Sequence, residues 1–390
     1  MKHIFIVGCK GIPAAYGGYE TFVDRLTEGQ ETGDLQYHVA CASDEKKSDS
    51  FCHAAHCFHI RWRKLGAARA IFYDCDALRY CIRYVMKNKI RNPFIVYVLA
   101  CRIGPFFHYY VKKIHKLGGT VYVNPDGHEW MRMKWSLPVR KYWKLSERLM
   151  VKYSDLLICD SKNIEKYIKE TYRAYRPETR YIAYGAEIMN EDSSKTEEAL
   201  SAWYREHGLK AGDYYLVVGR LVPENNYETM IREFMKSKTT KRFALITNVN
   251  DRFLEALKAK TGFERDSRIC FTGAVYDKEL LGKIRKNAFG YFHGHEVGGT
   301  NPSLLEALGA TDLNLLLDVS FNREVAEKAA LYWNKSEGNL AELINRADRL
   351  SGEEIKEFGK QAKERISERY SWKKIIREYE MLFMAKREAV

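Results

Sequence analysis

Long apolar runs are missing from this 390-residue chain. The longest, PFIVYVLAC at 93–101, is less than half of the roughly 20 residues that span a bilayer, which argues against a membrane-spanning helix. A secretion signal is missing too, because the apolar run in MKHIFIVGCKG is short and no small-residue cleavage site follows it. That opening reads as a strand, and the expectation is a cytoplasmic protein. The nine cysteines form no regular framework, and eight lie before residue 160. A disulfide scaffold is thereby excluded, and free thiols in a reduced compartment are expected. No internal repeat and no low-complexity segment is visible.

Two familiar nucleotide motifs are also absent. The first strand runs into GCKGIPAAYGGYET (8–21), where no G-x-G-x-x-G can be read and no Lys-Ser or Lys-Thr pair follows the glycines. One dense run, CHAAHCFH, sets Cys52, His53, His56, Cys57 and His59 side by side. Structural zinc sites join two separated ligand pairs, and the alternation around CFHIRW is that of a strand, so no metal site is read there.

Acidic residues are scarce in one region only. Residues 61–152 hold 20 Lys or Arg against five Asp or Glu, while the rest of the chain holds 44 against 46. The whole net charge of +13 therefore belongs to that quarter of the chain, whose partner should be anionic. Nucleic acid, a phosphorylated substrate and an anionic membrane surface all qualify. No recognisable nucleic-acid reading module accompanies the charge, so nucleic acid is not expected.

What is present is a regular alternation. In the first half HIFIVG, YHVACA, FIVYVLAC, TVYVNP, DLLICDS and RYIAYG read as strands with helical patterns between them. The polar run EIMNEDSSKTEEA opens a linker placed at 187–212, and YYLVVG, FALITN, RICFTG, FGYFHG and LNLLLDV then repeat the scheme. Apolar strands alternating with helices predict parallel sheets covered on both faces. The expected fold class is α/β with two Rossmann-like doubly wound domains, 1–186 and 213–370, facing across a cleft. The amphipathic segment 371–390, with Trp372, Ile375, Ile376, Tyr379 and Phe383 on one stripe, is expected to rejoin the first domain.

Ligands of open α/β sheets bind at the carboxyl ends of the strands, so strand ends supply the candidates. Gly17 and Gly18 open the first helix, where backbone N–H groups favour a phosphate or sugar. The stretch DGHEWMRMKW offers Asp126, His128, Glu129, Trp130, Arg132 and Lys134, a mixture suited to carbohydrate and phosphate. After YYLVVG comes Arg220, able to hold a diphosphate in a forked grip. In HGHEVGGTNPSLLEALGA, Gly298, Gly299, Thr300 and Asn301 precede a helix opened by Pro302. Glu306, one turn inside it, could accept from two hydroxyls of a ribose.

The second half resembles the donor domain of family 4 glycosyltransferases, which have the GT-B fold. GIPAAYGGYETFV, NPDGHEW, VGRLVPENN and HGHEVGGTNPSLLEA together resemble bacterial rhamnosyltransferases of capsule and cell-wall rhamnan synthesis. The resemblance implies retaining transfer of L-rhamnose from dTDP-β-L-rhamnose to a lipid-diphosphate-linked glucose or N-acetylglucosamine, without cofactor or divalent metal. It assigns Asp126, Arg220 and Glu296 to the chemistry. The donor falls to Gly17, Gly18, Arg220, Asn225, Gly298, Gly299, Thr300, Asn301 and Glu306. Acceptor binding falls to Tyr16, His128, Glu129, Trp130, Arg132 and Lys134.

Three positions depart from the wider family. Asn225 stands where a lysine usually follows the Gly-Arg loop, Gly298 replaces the first Glu of a Glu-x7-Glu pair, and Asp126 replaces a first-domain histidine. The sugar contact of the lost Glu is either missing or supplied otherwise, with Glu296 as the candidate. With the basic first domain, the implied location is peripheral, on the inner face of the plasma membrane. Another GT-B donor such as a UDP-hexose or UDP-N-acetylhexosamine, a sugar-nucleotide sensor without activity and an epimerase are the competing readings.

Overall fold

The computed structural model describes residues 1–14, 17–63, 65–189, 195–248 and 251–385. Tyr16 lies outside the described residues. The chain forms two compact units: residues 1–184 with the helix Trp372–Met384, and residues 185–371.

The first unit carries an eight-stranded sheet in the order β3-β4-β2-β1-β5-β6-β7-β8. Its strands are β1 (Lys2–Val7), β2 (Leu35–Ser43), β3 (Ser50–Cys52), β4 (Ala55–Arg61), β5 (Phe94–Leu99), β6 (Gly119–Asn124), β7 (Leu156–Cys159) and β8 (Thr179–Tyr181). All neighbours are parallel except the β3–β4 hairpin. Every residue of β5 is buried, as expected of a parallel strand covered by helices on both faces. β1 lies between β2 and β5, and the chain order reverses there.

The helix Trp372–Met384 belongs to this unit because its apolar stripe is complementary to the sheet. Tyr379 packs at a tilt against Phe22 and its hydroxyl lies 3.2 Å from that of Tyr97, while Phe383 touches Tyr37, Tyr97 and Tyr122. Glu380 accepts from the Glu31 N–H at 2.9 Å, fixing the register. Phe383 is wholly buried, so Phe383→Ala is expected to cost about 3–5 kcal/mol in urea unfolding of the full chain. A loss under about 1 kcal/mol would mean that the helix contributes little to this unit.

The second unit has a six-stranded, all-parallel sheet in the order β11-β10-β9-β12-β13-β14. Its strands are β9 (Tyr214–Val218), β10 (Arg242–Ile246), β11 (Ile269–Gly273), β12 (Gly290–His293), β13 (Asn314–Leu317) and β14 (Leu331–Trp333). Side chains alternate between two cores: Tyr215, Phe243 and Phe292 on one face, Tyr214, Leu216 and Tyr291 on the other. The stretch read as a linker holds the helix Lys195–His207, whose Leu200 and Trp203 pack into the second of those cores. Polar residues dominate its sequence because only one narrow stripe is buried.

Candidate functional site

In the second unit the chain order reverses between β9 and β12, and the loops leaving these strands form one surface. Two asparagines sew them together. Asn225 donates to the Arg220 carbonyl at 2.7 Å and its Oδ1 lies 2.6 Å from His295 Nδ1. Asn226, in the left-handed region, donates to the Gly294 carbonyl at 2.8 Å. Both ends of the Asn225 amide are thus engaged within the chain, and its role here is to shape the loop.

Arg220 emerges at the end of this joined loop and is exposed. Among the described residues no carboxylate or carbonyl holds its guanidinium. On the neighbouring strand, His293 ends β12 and is buried, its Nε2 without a hydrogen-bond partner among the described residues. Burial, and then the neighbouring His295, push His293 down to about 3, so it is neutral at physiological pH.

The helix Pro302–Ala310 begins at this surface. Asn301 caps it by accepting from the Ser303 N–H at 2.9 Å, and Thr300 is buried behind the cap. Glu306 is 44% exposed and pairs with the buried Arg285 at 2.7 Å. Glu296 pairs with Lys335. Both carboxylates therefore carry a cationic partner within the unit.

In the first unit the corresponding reversal lies between β1 and β5. Arg102, from the loop after β5, donates to the Gly8 carbonyl at 2.8 Å and pairs at 3.4 Å with Asp74, which is wholly buried. Tyr73 donates to the Cys9 carbonyl at 2.8 Å, and the Lys10 N–H donates to Glu20 Oε1 at 2.8 Å. The glycine loop is therefore held by its own chain. Gly17 has φ 128, and a methyl there would fall 1.9 Å from Glu20 Oε2. The Glu20 carboxylate sits against this helix start, which offsets the pull of the helix dipole on an anion.

Asp126 follows β6 in the left-handed region, φ 59. Its N–H donates to Asn124 Oδ1 and its own Oδ1 accepts from the Gly127 N–H, both at 2.8 Å. The carboxylate is partly exposed, and its charge adds to burial in pushing the Tyr19 phenol well above its ordinary range.

Residues 1–187 match the family described as Domain of unknown function (DUF1972). No curated protein matches the sequence. Sucrose-phosphate synthase from Thermosynechococcus elongatus superposes with a TM-score of 0.77 at 15% identity, over 98% of each chain. HepE from Anabaena, in complex with UDP, gives 0.68 at 12% over 98% of this chain and 99% of its own. A UDP-forming trehalose-phosphate synthase from Burkholderia xenovorans, with glucose-6-phosphate, gives 0.72 at 10% over 99% and 100%.

The fold is GT-B. Within its first GT-B unit, the DGHEWMRMKW segment is more self-contained than its composition suggests. Glu129 is the hub: Arg132 lies 2.5 Å from it, Lys134 2.8 Å, and Trp135 donates to it at 2.8 Å. Two cations expected to meet an acceptor are thus matched to one carboxylate. Trp130 lies beneath Lys144, with the ammonium 4.4 Å from the ring centre, and His128 packs edge-on to Tyr167. Burial lowers the His128 pKa from its ordinary value.

Sequence reasoning missed Arg102 as a candidate, whereas His293 heads the HGHEVGGTNPSLLEALGA stretch that it did single out. Each stands just after or at the end of a strand flanking a reversal point, which was the available signal. Missing was the strand order that makes those two ends special.

Proposed function

We propose that this GT-B protein is a glycosyltransferase that moves L-rhamnose from dTDP-β-L-rhamnose to a lipid-diphosphate-linked glucose or N-acetylglucosamine, with retention. The observation that carries the reading is the Arg220 guanidinium. It is exposed at the carboxyl end of the central strand of its sheet, on a loop braced by Asn225 and Asn226. A braced arginine with no ion-pair partner among the described residues suits a diphosphate leaving group, whose developing charge it would stabilise. Gly298 to Asn301 present the helix start beside it, and Glu306 offers its exposed side to a ribose. The rhamnose assignment is supported by the four sequence motifs and by the three departures from the wider family, which suit a 6-deoxy-L-sugar.

In the first unit Asp126 positions the acceptor hydroxyl, and the departing phosphate takes its proton. The start of the helix Gly18–Glu28, lined by Glu20, suits sugar hydroxyls better than phosphate. The reaction requires neither cofactor nor divalent metal. A UDP-hexose donor is the second reading, raised by two neighbours that are described with UDP. Mass spectrometry of reactions offered dTDP-L-rhamnose, UDP-glucose, UDP-N-acetylglucosamine or GDP-mannose, with and without chelator, tests both. Gain of one deoxyhexose from dTDP-rhamnose alone is expected. Transfer of hexose from UDP-glucose would replace the rhamnose assignment, and no transfer with any donor and either acceptor would count against the enzyme.

Asp74 supplies a pH test of the Arg102 loop. Burial pushes its pKa up to about 6 against the opposing pull of Arg102. Because that value lies above the unfolded one, Asp74's contribution to stability is complete below about pH 4 and lost as pH rises through about 6. Acid therefore strips Arg102 of its counter-charge without weakening the fold at this residue. Turnover is expected to fall below about pH 6 in the wild type, and the acid limb should be missing from the lower, flatter profile of Asp74→Asn. An unchanged acid limb in the variant would assign it elsewhere.

The basic region fits an anionic membrane at the inner face of the plasma membrane. No helix among the described residues is long and apolar enough to cross a membrane. The helices Gly104–Lys116 and Leu137–Tyr153 expose Phe106, Tyr109, Leu137 and Leu145 alongside Lys112, Lys113, Lys116 and Lys141. Apolar side chains among lysines suit the interface of an anionic bilayer. Sedimentation with phosphatidylglycerol vesicles should fall with salt and weaken in Phe106→Glu/Tyr109→Glu. Equal sedimentation with neutral vesicles would refute it.

A further inference from the structure

The run Cys52–His59 divides in the fold. His56 faces inward, joined through His38 to His3 on one side and to Asp49 on the other, with ring contacts of 2.9–3.0 Å, and Cys57 is buried on β4. Cys52 and His53 instead meet Asp24, on the helix Gly18–Glu28. One donor atom from each of these three lies within 4.8 Å of the others.

We propose that Asp24, Cys52 and His53 bind a divalent transition metal, with zinc as the chemically matched ion. Thiolate, imidazole and carboxylate together are the ligand types of zinc, and a hard ion such as magnesium would not select the sulfur. His53 Nε2 lies 3.1 Å from Asp24 Oδ1, near the edge of about 3.3 Å in a tetrahedron with arms of about 2.0–2.1 Å. With a metal–sulfur bond of about 2.3 Å, the thiol has little more than about 1 Å to travel.

The topology sets this cluster apart from the candidate site of the unit. β4 begins at Ala55 and runs parallel to β2, so the His53-Ala54 turn lies at the amino ends of the strands. The candidate site of this unit lies at the opposite, carboxyl ends. The ion would tie the edge hairpin to the helix that starts at Gly18, with the fourth position left to water. This inference is independent of the activity proposed above.

The test is titration of the full-length, chelator-treated protein with Co2+, followed by displacement with Zn2+. The expected result is one Co2+ per chain with a thiolate-to-cobalt charge-transfer band and tetrahedral ligand-field bands. Cys52→Ser should abolish the charge-transfer band, and His53→Ala should weaken binding at least about 10-fold. Both lie on a partly exposed hairpin, so the variants should fold, and circular dichroism checks this; Cys270→Ser, in the other unit, should bind as the wild type does. Absence of the band in the wild type, or its persistence in Cys52→Ser, would overturn the proposal.

Discussion

Arg220→Ala is expected to lower kcat/KM for the nucleotide-sugar by about 10²–10³-fold while leaving the melting temperature unchanged. Loss of a charge-assisted, forked contact to a diphosphate removes stabilisation that grows as the leaving group departs, so kcat should fall as well as affinity. Stability should be indifferent because the guanidinium is exposed and makes no ion pair among the described residues, and such surface changes stay within about 0.5 kcal/mol. Arg220→Lys keeps the charge and loses the fork, so it should fall between the two. Calorimetric binding of the free nucleoside diphosphate separates the terms. A variant that binds nucleotide and turns over as the wild type does would remove Arg220 from the site, and with it the main support for the transferase reading.

The contrast with the two candidate carboxylates sharpens that expectation. Glu306 is paired with the buried Arg285, and Glu296 with Lys335. A substitution at Glu306 would strand a buried cation and disturb the fold along with any ribose contact. Arg220 is the cleaner probe because its loss leaves no ion-pair partner behind among the described residues.

Strand periodicity and turn glycines made the alternating α/β plan legible, and with it the strand ends where polar side chains gather. Pairing was not legible. Asn225 looked like a replaced phosphate ligand, yet its amide bridges two loops 70 residues apart in sequence. Arg132 and Lys134 looked like free cations for an acceptor, yet Glu129 between them in space collects both. Composition reports which charges are available and is silent on which neutralise one another. The helix Lys195–His207 was hidden for a similar reason: a surface helix that buries one stripe carries linker-like composition over most of its length. Arg102 escaped because its importance comes from β5 lying next to β1, a long-range fact that no local pattern encodes.

The glycine loop shows where those limits meet energetics. Gly8 follows β1 with φ 107, and a methyl on it would lie 2.3 Å from the Leu99 carbonyl oxygen of β5. That backbone cannot retreat cheaply, because Val7 pairs with Val98 in the ladder and Arg102 grips the Gly8 carbonyl. Gly8→Ala is expected to cost about 2–6 kcal/mol, a strained backbone of about 1–3 kcal/mol plus overpacking of similar size. Against a total stability of about 5–15 kcal/mol, much of the protein should be insoluble or melt about 10 °C lower. Gly118→Ala is the matched control: its φ is 81, and no atom lies within 4 Å of the added methyl. It bears the conformational cost alone, about 1 kcal/mol. If the two variants unfold at the same urea concentration, β5 gives way easily and the loop is not held as tightly as its contacts require. If Gly8→Ala is far weaker, the close approach that its glycine permits is that of the chain's own fifth strand, and the glycine serves the architecture that sets the strand ends in place.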